Sequence, residues 1–126
     1  QDADIICTVS PGKEPVLFAD MVKPGCHINA VGTFTPTTRE VASDLMEKGK
    51  LYADQVEAMK RESGEFLIPK EEGRIHDSDI IGSIGEVLLG RVKGRESEEE
   101  ITIFDALGLA VEDVASAAYV MKQMEE

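Results

Sequence analysis

The sequence predicts an α/β fold with a mostly parallel sheet, and three observations carry that expectation. Two short apolar runs, Ile5-Ile6-Cys7-Thr8-Val9 and His27-Ile28-Asn29-Ala30-Val31, end in small residues, Ser10-Pro11 and Gly32-Thr33. Buried parallel strands end in this way when their exit loops let a ligand approach the backbone. Strand-like and helix-like segments then alternate along the chain, with no internal repeat and no low-complexity linker. Ligands of open α/β sheets bind at the carboxyl ends of the strands, so the exit loops are where function is sought.

The first strand occupies Ala3 to Val9, and Pro11-Gly12 with Lys13-Glu14-Pro15 forms the turn after it. Val16 to Val22 is read as a short helix stopped by Lys23-Pro24-Gly25. A strand over 27–31 follows. Ser43 is placed to cap a helix that runs to Lys48 and ends at Gly49. Leu51-Tyr52-Ala53 reads as a third strand. Asp54 with Glu57 resembles a capping box for a helix carrying Val56 and Met59. Residues 63–76, punctuated by Ile68-Pro69 and Gly73, read as irregular. From Ser78, the positions Ile80, Ile81, Ile84, Val87 and Leu88 recur at helical spacing up to Gly90, with Gly82 and Gly85 inside. The charged stretch 91–100 reads as solvated. Ile101 to Phe104 is the fourth strand, Asp105 to Gly108 its exit loop, and Leu109 to Met124 a final helix with the stripe Val111, Val114, Ala118, Met121.

A chain of 126 residues makes one domain or part of one. Its first residue is Gln and its first strand begins almost at once, so the expectation is a piece of something longer. A net charge of −12 argues against nucleic acid and anionic membrane surfaces as partners. No apolar run approaches a membrane span, and a cytoplasmic location is expected. Cys7 is read as a small buried hydrophobe within its strand, and Cys26 begins the next. They form no Cys-x-x-Cys motif, and reduced thiols are expected. His27 and His76 have no ligand-spaced partners, so no metal site is expected. None of the 11 glycines forms Gly-x-Gly-x-x-Gly or a Walker loop, so the usual phosphate cradle is absent from these residues.

Three segments together resemble the ornithine cyclodeaminase/mu-crystallin family, which includes archaeal alanine dehydrogenases. The first is Ala3 to Ser10 with Lys13-Glu14-Pro15-Val16-Leu17. The second is Lys23 to Gly32, then Pro36 and Arg39-Glu40. The third is Gly85 to Gly90, Gly94-Arg95, Glu99 to Phe104 and Gly108 to Asp113. Their order and spacing over nearly the whole chain make the match specific. The resemblance implies a Rossmann-type NAD- or NADP-binding domain of which this chain holds the second half (residues 1–107), followed by a helix (108–126) that returns toward an N-terminal region. It implies a small amino-acid or imine substrate and, for the complete protein, a homodimer.

The same resemblance points to cofactor contacts at Thr8, Val9 and Ser10, at Gly32, Thr33 and Phe34, and at Leu107 and Gly108. Hydroxyl residues at a strand end can bond ribose or amide groups, and Gly32 lets the backbone come close. Read from the residues alone, the same loops are equally turns: a hydroxyl-bearing turn at 8–10, a tight turn into Pro36, and a strand-to-helix turn with Asp105 or Gly108 as cap. Ala106 stands where the family often has Ser or Thr. Glu86 and Asp113 match family positions, although a lone acid on an apolar helix is more often a cap or an ion-pair partner. Arg95 with Glu99 or Glu100 reads as a surface pair. Phe34 stands where the ornithine-cyclising members carry a catalytic Asp, and Phe can neither take nor give a proton. The catalytic group is therefore left open. The reaction implied is imine or ketimine reduction or amino-acid dehydrogenation, with ornithine cyclodeamination as the alternative within the family. A non-catalytic ligand-binding domain or inert fragment is the alternative of another class.

Overall fold

The computed structural model describes residues 2–124; what was expected of Gln1, Glu125 and Glu126 lies outside the described residues. Among the described residues, five strands form one sheet: β1 (Ile5–Thr8), β2 (His27–Ala30), β3 (Lys50–Ala53), β4 (Ile80–Ser83) and β5 (Thr102–Asp105). The order is β1-β2-β5-β3-β4 and every neighbouring pair is parallel. The last strand of the chain is therefore the central one. The register sets Thr8, Ala30, Asp105, Ala53 and Ser83 in one row along the C-terminal edge.

Side-chain alternation splits the sheet into two faces. Ile28, Ile103 and Leu51 pack with Leu45, Met46, Met59 and Phe66 in the core, beneath helices α1 (Ser43–Lys48), α2 (Val56–Glu62) and α3 (Gly64–Glu71). All seven are essentially fully buried, and each contributes roughly 1.5–3 kcal/mol of hydrophobic stabilisation. On the other face, α4 (Ile84–Leu88) and the loop through Arg95 roof a cavity of about 230 Å³ over His27, Tyr52, Thr102 and Phe104. Ile5, on the same face by register with His27, stays 65% exposed. Helix α5 (Ala110–Met124) buries none of its residues.

Several elements differ from the sequence reading, each for a local reason. Val16 to Val22 is not a helix beyond a single 3-10 turn at Ala19–Met21. Its amides are taken elsewhere: Val16 and Leu17 donate to the Glu40 carbonyl, and Leu17 accepts from Ala42. Residues 63–76 are irregular only at Ser63 and over 72–76, because α3 spans Gly64–Glu71 and continues through Pro69. Pro69 falls near the end of the helix, where its missing N–H removes a single bond. A Cβ at Gly64 would lie 2.1 Å from the Thr38 carbonyl oxygen and 2.7 Å from that of Thr35, so only glycine lets α3 start against the loop that leaves β2.

The helix expected from Ser78 to Gly90 is a 3-10 turn (Asp77–Asp79), strand β4 and helix α4 in succession. Ile80 and Ile81 favour a strand, and Gly82 makes room for Val92, which an added Cβ would meet at 3.1 Å. Ser83 and Glu86 then form a capping box, so Glu86 is a cap. Neither Ser43 nor Asp54 acts as the expected cap; the cap positions fall to Ala42 and Gln55. Asp105 belongs to β5 rather than to its exit loop. Cys7 is exposed, contrary to expectation, because that face of β1 has no cover; Cys26 is buried, and both are free thiols. Arg95 donates to the Glu100 carbonyl oxygen and to Thr102 Oγ1 rather than pairing with a carboxylate, and Glu100 pairs instead with Lys50 at 2.7 Å.

Candidate functional site

The exit loops of β1, β2 and β5 leave the sheet side by side, because these three strands are neighbours. They carry every cofactor contact inferred from the sequence. Thr8 ends β1 with its side chain buried beside the Glu40 carboxylate. Val9 follows, largely exposed. The Ser10 and Gly32 amides both donate to the carboxylate of Glu40, Gly32 at 2.9 Å. A Cβ at Gly32 would lie 2.4 Å from the Ser10 nitrogen and from Glu40 Oε1, so glycine is the residue that lets the two loops close on one carboxylate. Thr33 points inward and donates to Glu65 Oε1 at 3.0 Å, so its hydroxyl is already engaged. Phe34 is 69% exposed. With Pro11, Gly12, Gly32, Thr33, Thr35 and Thr38 it lines a cavity of about 250 Å³ at the mouth of these loops. Leu107 is half-buried. Gly108, at φ +91°, donates its amide to Asp54 Oδ2 at 2.8 Å, while the amide of Ala106 continues the ladder to Ala30.

Beneath the loops lie four buried acids that the sequence reading did not assign to the site. Glu40 joins the β1 and β2 exits. Glu65 accepts from the Glu40 amide at 2.6 Å, the Val41 amide at 3.0 Å and Thr33. Asp54 accepts from the Gln55 amide at 2.6 Å and from Gly108. Asp105, in the central strand, accepts from the Ser63 hydroxyl at 2.5 Å, and its other oxygen has no partner. The available signal was an acid inside an apolar neighbourhood: Glu40 before Val41-Ala42, Glu65 before Phe66-Leu67, Asp105 after Ile103-Phe104.

Their environments push their acidities apart. Burial would raise the Glu40 pKa, but the Ser10 and Thr8 side chains and the Ser10 and Gly32 amides outweigh it and hold the carboxyl below its ordinary value. Burial dominates at Glu65 and raises it, against the amides of Glu40 and Val41 and the Thr33 hydroxyl. Asp105 is pushed up to about 7, chiefly by burial, with the Ser63 hydrogen bond opposing and the charges of Glu65 and Asp54 adding to the rise. Among the described residues no group of three or more His, Cys, Asp or Glu is arranged to hold a metal ion. No described helix is long and apolar enough to cross a membrane.

An all-parallel sheet with small-residue exit loops gathered at its C-terminal edge defines a nucleotide-domain type of α/β protein. The match is closer than class. The model of the ornithine cyclodeaminase/mu-crystallin family covers residues 1–126, and the chain belongs to that family. It is 42% identical over 118 residues to the ketimine reductase mu-crystallin of Mus musculus, covering 94% of this chain and 35% of that protein. The Thermococcus litoralis Δ(1)-pyrroline-2-carboxylate reductase, solved in complex with NADH and L-proline, superposes with a TM-score of 0.88 at 37% identity, over 93% of this chain and 36% of that one. An archaeal alanine dehydrogenase dimer with bound NAD gives 0.85 at 41% identity, over 94% and 37%. The chain thus spans about a third of the length of the relatives it matches, 35–39% for the curated ones.

Proposed function

We propose that this chain forms part of an NAD- or NADP-dependent enzyme that reduces an amino-acid-derived imine or ketimine, or dehydrogenates the corresponding amino acid, and that the exit loops of β1, β2 and β5 hold the nicotinamide end of the cofactor. The observation that carries the reading is the welding of two of those loops through Glu40, with bare backbone at Gly32. That edge fits a neutral or cationic ring and its ribose. It does not fit a pyrophosphate, since the Ser10, Gly32 and Gly108 amides already donate to carboxylates. When bound, the nicotinamide supplies or accepts the hydride. The chain's own residues give a close backbone approach at Gly32 and an exposed apolar ring at Phe34 on the wall of the cavity mouth.

Phe34 favours imine reduction over ornithine cyclisation, because water addition and ammonia loss each require proton transfers that a positioned acid or base accelerates about 10²–10⁴-fold. A homodimer, a cytoplasmic location, and the division into a nucleotide-domain portion (1–107) and a returning helix (108–126) belong to the same proposal. The test is to assay the full product of the natural gene with NADH or NADPH against a cyclic ketimine, against pyruvate with ammonia, and with ornithine. Turnover of a ketimine or of pyruvate with ammonia supports the reading. Efficient proline and ammonia formation from ornithine, undiminished in Phe34→Ala, overturns it.

A further inference from the structure

Glu40, Asp54, Glu65 and Asp105 all lie buried at the C-terminal edge of the sheet. Among the described residues none of them pairs with a lysine, arginine or histidine. Their partners are neutral donors only, and three of those donors, the amides of Ser10, Gly32 and Gly108, belong to the three exit loops. At the same edge Asp105 Oδ1 is buried without any partner. Burying carboxyl groups without counter-charges is costly, and such groups concentrate where a site uses their field.

That field has a sign. The loop amides that could have cradled an anion are occupied, and the groups behind them are acids. What this edge favours is positive charge. A nicotinamide ring carries a positive charge when oxidised and none when reduced. We propose that the buried acids beneath the exit loops, Glu40 foremost, make this site bind the oxidised nicotinamide in preference to the reduced one, and so set the oxidation-state balance of the bound cofactor. The inference rests on the cofactor placement proposed above. Glu40 acts here through the loops and its field, as a positioning residue.

The experiment is to measure the dissociation constants of NAD⁺ and NADH, by calorimetry and nicotinamide fluorescence, for the full product of the natural gene and for Glu40→Gln. Loss of one buried charge near the ring is expected to weaken NAD⁺ relative to NADH by about fivefold or more. Equal weakening of both forms overturns the inference, because it is what loosened loops alone would produce. Binding of neither form by the unmodified protein overturns the cofactor placement and this inference with it. If Glu40→Gln does not fold, Asp105→Asn decides. The groups facing Asp105 are Ser63 at the α2–α3 junction, Glu65 on α3 and Asp54 after β3, none of them basic. The preference for NAD⁺ is expected to grow as pH rises through about 7 in the unmodified protein and to stay flat in Asp105→Asn. Parallel profiles overturn it.

Discussion

Replacing Asp105 with Asn isolates the cost of the central buried acid. Asp105 is fully buried between Ala30 and Ala53 in the edge row, with one oxygen bonded to Ser63 and the other to nothing. Its pKa rises from an ordinary 3.8 to about 7, burial being the main cause. For an acid whose folded pKa is raised, the contribution to stability is complete below the unfolded pKa and is lost as pH climbs through the folded one. Between the two values the native state holds a proton that the unfolded state has released, so unfolding free energy falls with pH. The gap from 3.8 to about 7 is worth about 4 kcal/mol in all, of which about 3 is lost between pH 5 and pH 8. Asn keeps the acceptor for Ser63 and does not titrate. Its NH₂ inherits the unpartnered position, a fixed cost of about 1–3 kcal/mol at every pH. The difference in stability between the two proteins should therefore move by about 3 kcal/mol in favour of Asn from pH 5 to pH 8, whatever the fixed cost. Urea titrations of both proteins across that range read this difference directly. Stability curves that stay parallel from pH 5 to pH 8 would refute the reasoning.

Other expectations follow from the same geometry. Gly32→Ala should destabilise by about 1–3 kcal/mol in thermal or chemical unfolding, since its Cβ meets backbone at Ser10 and the carboxylate of Glu40. Glu65→Ala leaves the Glu40 and Val41 amides and the Thr33 hydroxyl without their acceptor. It should cost about 3 kcal/mol or more and loosen the β2 exit loop up to the start of α1, seen as faster amide exchange at residues 33–42. The 126-residue chain by itself contains no glycine-rich phosphate loop and should show no micromolar affinity for NADH or NADPH in calorimetry. The same chain exposes Ile5 at 65% and Val114, Tyr119 and Met121 along α5 at 59–67%, and should self-associate in light scattering; a strict monomer at all concentrations would contradict that.

The sequence made the architecture legible where periodicity and turn chemistry agreed. β1, β2 and β3, together with α5, lie within a residue or two of their expected bounds, because their apolar runs stop at Pro, Gly or a charged cluster. Legibility failed where two structures share one spacing. Ile80, Ile81, Ile84, Val87 and Leu88 satisfy a helical pattern, yet Ser83 breaks the segment with its cap, and a strand precedes the helix. It failed again at α3, where Ile68-Pro69 reads as punctuation but lies near a helix end, and Gly64 serves close packing. The exit loops were located from strand ends and from family resemblance. The acids that brace them were not, because Glu40, Glu65 and Asp54 bond to backbone amides that leave no mark in side-chain identity.

The central claim is that one edge of the sheet, at the β1, β2 and β5 exits, receives the nicotinamide end of a dinucleotide. Amide hydrogen exchange on the full product of the natural gene, with and without saturating NADH, tests it most directly. The account predicts added protection at residues 8–12, 32–35 and 106–108, with little change at β4 and α4 on the far side of the sheet. NADH binding that leaves those three loops unchanged, or that protects α4 instead, would contradict it.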